Sequence, residues 1–449
     1  MVLFLIALLI FRSIGAEPYG VPTGSMAPTL LGHHKAAVCP RCGYPVVVGV
    51  RDRADGAEGH AVCPNCGRED LQLDEVPVCR GDHLLVNKNV YSWRKPRRWE
   101  MAVFRCPVED GKSFVKRVVG LPGEAVQIRD GDVYIDGEIA RKTLAEFKAL
   151  RILVFDNNYQ PSPDGWRCRW RLDPRRGPPT LEGTQLRLDG MPYPEEWQWL
   201  VYRHWSLDDY KAQAIRDEYT YNGAEGGPRS EPVHDFMLEC DVEVVRGDGA
   251  VAFAVTDGSE LMIAEVPVGE SPEGSRLLGG PRQQTVYRTA PALSLSPGKK
   301  HHVELAFVDC RASFALDGNL AFAPVDRPAM DNRPPVDQPV KVGVRGVEVL
   351  IENVRIFRDI HYTAAGSHAS RAPVRLGAGQ YFMLGDNSPN SDDNRFWSDG
   401  DDRPVPVPEH NFLGKPLLVH MPSRIVKWDG FGMHWEYQAI DWGRIRWLH

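Results

Sequence analysis

The chain has 449 residues, with 53 Lys plus Arg against 60 Asp plus Glu, a formal net charge of −7. A hydrophobic fraction of 43% with 25% charged residues excludes wholesale disorder, and the length predicts about three domains. A polytopic membrane protein is excluded because only the extreme N-terminus is strongly apolar and charge-free, and the acidic balance argues against a nucleic-acid partner held by phosphate contacts.

Residues 1–11 read MVLFLIALLIF, and Arg12 ends the run. A spanning helix needs about 20 apolar residues, so this stretch is too short alone. Three readings stay open: a cleaved secretory signal with Ile14-Gly15-Ala16 as a weak cleavage site, the C-terminal half of a span that starts upstream, or a short anchor. The signal reading lacks a preceding Lys or Arg. All three place the rest of the chain outside the cytoplasm. A fourth reading, a buried core helix, does not.

Residues 17–35 are punctuated by Pro and Gly and contain PTGSMAPTL. Next come Cys39-Pro-Arg-Cys42-Gly and Cys63-Pro-Asn-Cys66-Gly, with 20 residues between Cys42 and Cys63. Such paired knuckles predict a zinc ribbon, because each turns two thiolates toward one tetrahedral ion. Disulfides are the alternative, favoured by an oxidising compartment. A bridge inside C-x-x-C is typically redox-active, however, and nothing else here suggests an oxidoreductase. Cys79, Cys106, Cys168, Cys240 and Cys310 show no ligand spacing and read as ordinary thiols.

Residues 76–140 predict strands in DHLLVNK, EMAVFRC and FVKRVVG, then alternation around Asp-Gly turns in VQIRDGDVYIDGE. Residues 141–150 are the best helical candidate in the middle of the chain. Residues 151–231 look irregular. Their Trp166, Trp170, Trp197, Trp199 and Trp205 read as packing residues or, alternatively, a sugar platform. Residues 232–362 turn strand-like, with Phe236, Leu238, Cys240 and Val242 alternating with Glu239, Asp241 and Glu243, and with an Asp317-Gly318 hairpin turn. Closely spaced strands with almost no helical periodicity predict a β-sandwich. Residues 376–424 return to strands around GDNSPNSDDNRFW.

Ser25 beside a glycine is a nucleophile only if a base lies within reach. No His stands in a triad-like context. His33 and His34 read as loop residues. Lys116, flanked by Phe114, Val115, Val118 and Val119, is the better base, because desolvation disfavours its ammonium form.

Ordered blocks now carry a resemblance. FRSIGAEPYGVPTGSMAPTL after the apolar start, RGDHLLVNK, FVKRVVGLPGE with VYIDGE, GDNSPNSDDNRFW and FLGKPLLV together resemble bacterial type I signal peptidase, the membrane-anchored Ser/Lys protease that removes signal peptides. The blocks span a little under half the chain. The resemblance implies Ser25 as nucleophile and Lys116 as general base. It implies Thr23 as the hydroxyl completing the oxyanion hole and Ser391 as the group positioning the base. Asp386, Asn387, Asp393 and Arg395 match residues that shape the site floor. The sequence departs from the family at Ser388-Pro389, usually Arg-Asp, and at Asn394, usually Ser.

The implied fold is mainly β. It is a signal-peptidase-type β fold with an N-terminal membrane anchor, an inserted zinc ribbon and an inserted β-sandwich, a jelly roll resembling concanavalin-like and laminin-G-like domains. The implied units are 1–16 (anchor), 17–35 (nucleophile segment), 36–72 (ribbon), 73–150 (core with the lysine), 151–370 (jelly roll) and 371–449 (core). The expected partners are exported pre-proteins, membrane lipid and a glycan at the jelly roll, with no nucleic acid. No catalytic cofactor is expected, and structural Zn²⁺ is expected at the four cysteines. The expected location is the cytoplasmic membrane, with the catalytic part on its outer, periplasmic side. Two other readings stay open: a carbohydrate-binding or adhesion protein on a peptidase-derived scaffold, and another Ser/Lys protease of this fold such as a self-cleaving repressor.

Overall fold

The computed structural model describes residues 15–50, 60–69, 71–160, 168–172, 180–205, 211–223, 230–430 and 433–448. The apolar run 1–11 and Trp166 lie outside these. Among the described residues no helix is long and apolar enough to cross a membrane.

The molecule is mainly β. One antiparallel sheet has the order Ala16–Gly20, His83–Asn87, Phe412–Val419, Met101–Arg105, Ser113–Gly120, Gln380–Leu384, Val407–Pro408. Each predicted run from residue 83 to 120 is therefore a strand, and the first described strand shares a sheet with Phe412–Val419. Beside it lies a four-stranded sheet of Glu138–Ile139, Asp132–Ile135, Ala125–Arg129 and Val374–Arg375. Its hairpins turn at Asp130-Gly131 and Asp136-Gly137, all four residues at positive φ as the Asp-Gly pairs predict. The expected helix forms over Leu144–Leu150. Thr143 accepts the Glu146 amide and Glu146 accepts the Thr143 amide, a reciprocal N-terminal cap.

The sandwich starts earlier than its sequence pattern indicates. Residues 151–231 carry no regular pattern, yet Ile152–Asp156, Trp170–Arg171, Gln185–Asp189 and Gln198–Tyr202 all join its sheet. These strands are too short for alternation to stand out. Two long strands organise the unit, Phe236–Thr256 and Val340–Arg358. The separate runs VKVGVRG and VEVLIENVRIF thus form one bent strand. Gly346 has φ +64 and Gly247, paired with the next residue Val347, has φ +98, and the ladder shifts register between Val244 and Arg246 and between Gly247 and Ala250. Such bulges bend a pair without ending it. The first half of Phe236–Thr256 pairs with Lys300–Val308 and the second half with Leu261–Pro267, giving two half-sheets. Phe236, Leu238, Cys240 and Val242 from one half and Val251, Phe253 and Val255 from the other share a single buried core. Trp170 and Trp205 are buried, as a packing role requires.

Candidate active site and four-cysteine centre

Lys116 sits on a central strand, and the alternation of that strand sends Lys116 and Arg117 to opposite faces. Ala102 lies directly opposite Lys116 in the neighbouring strand. The ammonium is buried and donates to Ser391 Oγ at 2.8 Å. Burial pulls its pKa down to about 8. Asp393 and Asp392 push the other way, and Arg395 adds to the lowering.

Ser25 and Lys116 open on the same cleft of about 990 Å³, with Thr23 and Ser391 on its wall. The hydroxyl of Ser25 and the Lys116 ammonium are not hydrogen-bonded to each other; such contacts commonly tighten only when substrate is bound. Ser113, Phe114 and Val115 line one side of the cleft and Tyr19, Gly20 and Val21 another. On the lysine strand Gln380–Leu384 pairs with Arg117, Val118 and Gly120, so among the described residues the start of that strand keeps a free edge on this side.

The floor is built from buried ion pairs. Asp386 takes two hydrogen bonds from Arg117, at 2.8 and 2.5 Å, both side chains fully buried. Arg395 grips Asp393 at 2.9 and 2.8 Å and also reaches Thr363 and Ser388. Burial alone would raise the Asp393 carboxyl, but Arg395, Lys116 and Ser391 together hold it below the usual range. Asn387 donates its backbone N–H to Ser25 O at 3.0 Å and its side chain to Gly24 O at 2.9 Å. The departures from the family pattern are absorbed here. Ser388 Oγ accepts from Arg395 at 2.7 Å, and the Asn394 amide bridges the Met383 N–H and the Val405 carbonyl. At Gly385 a Cβ would lie 2.1 Å from Ser391 Oγ and 2.5 Å from Ser25 O, so only glycine fits.

Several contributors had no sequence signal. Asp82, within RGD, is fully buried. It accepts the Leu31 amide at 2.9 Å and Arg444 at 2.7 Å, fixing the far end of the Ser25 loop. The turn Thr220–Asn222, expected to belong to the inserted sandwich, reaches under the nucleophile. Tyr219 donates to Asp386 O at 3.0 Å, and Asn222 exchanges two amide hydrogen bonds with Asn387. The Tyr221 ring is wedged between Gly24 and Gly49, where added Cβ atoms would lie 2.1 and 2.2 Å from it. Gly49 and Val50, at the end of the ribbon hairpin, line the same cleft.

The sulfurs of Cys39, Cys42, Cys63 and Cys66 gather within 4.8 Å of one another, all four residues buried. The two knuckles are alike. Cys39 N donates to Tyr44 O and Gly43 N to Cys39 O, while Cys63 N donates to Arg68 O and Gly67 N to Cys63 O. Gly43 and Gly67 take φ +76 and +71. The Cys39–Cys66 and Cys42–Cys63 sulfur distances are both 3.7 Å. A disulfide needs about 2.05 Å, whereas Zn–S bonds of about 2.3 Å place tetrahedral sulfurs roughly 3.8 Å apart. The four thiols therefore fit a metal and are unbonded to one another. Glu239, His302 and Glu304 form a second acidic group, but Arg151 and Arg355 already hold Glu239 and Lys148 holds Glu304.

The family model described as "Signal peptidase, peptidase S26" matches residues 75–162 and 341–421. Signal peptidase I of Pseudomonas aeruginosa is 29% identical over 156 residues, 32% of this chain and 37% of that protein. Probable signal peptidase I-2 of Synechocystis is 38% identical over 100 residues, 21% of this chain and 42% of its own length. The chain thus spans about two fifths of the curated relatives it matches. Among solved structures, a carbohydrate-binding module from Bacillus subtilis aligns over 42% of this chain and 94% of its own, at 16% identity and a TM-score of 0.26. That likeness is too slight to carry an argument.

Proposed function

We propose that this chain, a member of the type I signal peptidase family, is a membrane-associated serine endopeptidase that removes signal peptides from exported pre-proteins. The observation that carries the reading is Lys116, buried, held by Ser391 and with its pKa lowered to about 8, opening on the same cleft as Ser25. A pre-protein lies extended along the free edge of the lysine strand, gaining main-chain hydrogen bonds, with small pockets taking Ala-like side chains at −1 and −3. Neutral Lys116 accepts the Ser25 hydroxyl proton as Oγ bonds to the scissile carbonyl carbon. The Ser25 N–H and the Thr23 hydroxyl hold the oxyanion, a contribution of about 3 kcal/mol per donor. Collapse breaks the C–N bond, the departing amine takes the proton from Lys116, and water then hydrolyses the acyl-serine.

In this reading residues 1–16 anchor the chain in the cytoplasmic membrane, with the catalytic part outside. Residues 36–72 and 151–370 are insertions, and Zn²⁺ at Cys39, Cys42, Cys63 and Cys66 is structural, cross-linking the ribbon. The test is cleavage of a pre-protein in detergent. Ser25→Ala and Lys116→Ala should each lose at least roughly 10⁴-fold in rate while keeping the wild-type melting profile. Wild-type-like cleavage by either variant overturns the mechanism.

A further inference from the structure

The sandwich carries a second cleft, of about 500 Å³, on the side of one half-sheet away from the core. Alternation along Phe236–Thr256 sends Val251, Phe253 and Val255 inward and leaves Ala252 and Ala254 on this outer side, in contact with Trp197 and Trp199. The small floor leaves room for a ligand. Opposite Trp199 in the register stands Gly343, where a Cβ would lie 2.9 Å from the indole, so glycine lets that ring lie flat on the strand. The two indole centroids lie 5.6 Å apart with the planes tilted by 32°.

Polar groups surround this aromatic wall. Glu265 is shared by Arg276 at 3.1 Å and Arg345 at 3.2 Å, and Arg276 also pairs with Glu273. Arg345 lies 4.8 Å from the Trp197 centroid and Lys341 Nζ lies 4.2 Å from that of Trp199. Among the described residues Lys341 has no carboxylate partner, and its half-buried ammonium rests over the Trp199 ring. The rim turn bears Gln283 and Gln284. Arg282 and Gln283 take φ +57 and +56, two successive non-glycine residues in the left-handed region. Strain of that kind clusters at ligand-binding loops.

Flat apolar faces ringed by guanidinium, carboxylate and amide groups match one ligand chemistry well. A pyranose offers a C–H face to stack and a rim of hydroxyls to bond. An ammonium without a carboxylate partner adds a preference for a negative substituent, since charge-assisted hydrogen bonds are the stronger ones. We propose that this cleft binds an acidic glycan, with a sugar ring on Trp197 and Trp199 and its carboxylate or sulfate paired with Lys341. The proposal does not rest on the peptidase reading. It deepens the expectation of a glycan at the sandwich by naming the site and the charge of the sugar.

The purified full chain can be titrated calorimetrically with trigalacturonate, a sulfated chondroitin disaccharide, neutral maltotriose and triglutamate. At least one acidic sugar should bind, and maltotriose and triglutamate should bind at least tenfold more weakly. Which acidic sugar binds tells carboxylate from sulfate. Lys341→Gln should weaken binding about tenfold, and Trp197→Ala should abolish it. Because Trp197→Ala could unfold the half-sheet, its melting curve is recorded, and the half-buried Lys341→Gln change, with its own melting curve, carries the test independently. Ser25→Ala should bind sugar like wild type and Lys341→Gln should cleave pre-protein like wild type, which separates the two readings. No binding of either acidic sugar at millimolar concentration, equal binding of maltotriose or triglutamate, or unchanged affinity in Lys341→Gln overturns the proposal.

Discussion

Lys116 can act as a base only while neutral, so its pKa sets the acid limb of the pH–rate profile. With the pKa lowered by burial to about 8, kcat/KM should rise tenfold per pH unit below that value and level off above it. Asp392 lines the cleft and raises the Lys116 pKa through its negative charge. Removing that charge disfavours the ammonium, so Asp392→Asn should move the limb to lower pH. The substituted amide keeps an oxygen for the Trp397 indole, which now donates to Asp392 Oδ1 at 3.0 Å. A limb that stays in place or moves to higher pH would refute this account of the base. At this scale the paired residues were legible because nucleophile, base and floor each sit in a distinctive local phrase. Tyr221, Asn222 and Asp82 were not. Their role comes only from where distant segments land, and a tyrosine or asparagine in a loop has no spacing signature.

The ribbon shows the same contrast among elements. Its knuckles were readable because C-P-x-C-G encodes a complete local turn, down to the positive φ of Gly43 and Gly67. Its position was not readable. The hairpin of His34–Val38 and Pro45–Gly49 presents Gly49 and Val50 to the cleft, and Val47 packs with Tyr221, Ala27 and Leu31. The other knuckle docks on the sandwich, where Asn65 accepts the Asp156 amide and donates to Tyr159 O. Metal loss should therefore be felt in the cleft. Purified chain should carry about one zinc, and Cys63→Ser should lose it, lower the melting temperature and raise KM more than it lowers kcat. Less than half a zinc per chain would count against the ribbon. Tyr221→Ala removes the wedge between Gly24 and Gly49, leaving a cavity worth about 3–5 kcal/mol for a large aromatic ring. It should depress kcat through the freed Ser25 loop, while sugar binding at the distant Trp cleft stays unchanged. A kcat within twofold of wild type would show that the loop holds itself.

Across the whole molecule, the sandwich is locked to the neighbouring sheets by buried charge rather than strung on a linker. Lys142, just past the four-stranded sheet, donates to Asp309 at 3.0 Å and to Asp359 at 2.7 Å, all three buried. Nearby, Arg333 of the sandwich pairs with Asp132 of the four-stranded sheet at 3.0 Å. Asp309 stands in a two-residue hairpin turn with Cys310, both at positive φ without any glycine. The turn therefore lacks the Asn-Gly or Asp-Gly signal that marks other hairpins here, and the lock was invisible in the sequence. Burial pushes the Asp309 carboxyl up to about 7, and the neighbouring Asp359 and Asp235 charges add to the rise although Lys142 opposes it. A carboxyl raised above its ordinary value of about 4 favours the fold fully below that pH and loses this contribution as pH climbs through 7. Lys142→Met keeps the volume but leaves two buried carboxylates without their cation, a change that typically costs about 3–5 kcal/mol. Protonating the carboxylates relieves that cost. The melting temperature of Lys142→Met should therefore fall well below wild type at pH 8 and approach it at pH 5.5. A deficit that is equal at the two pH values, or larger in acid, would mean that packing rather than charge holds the two units together.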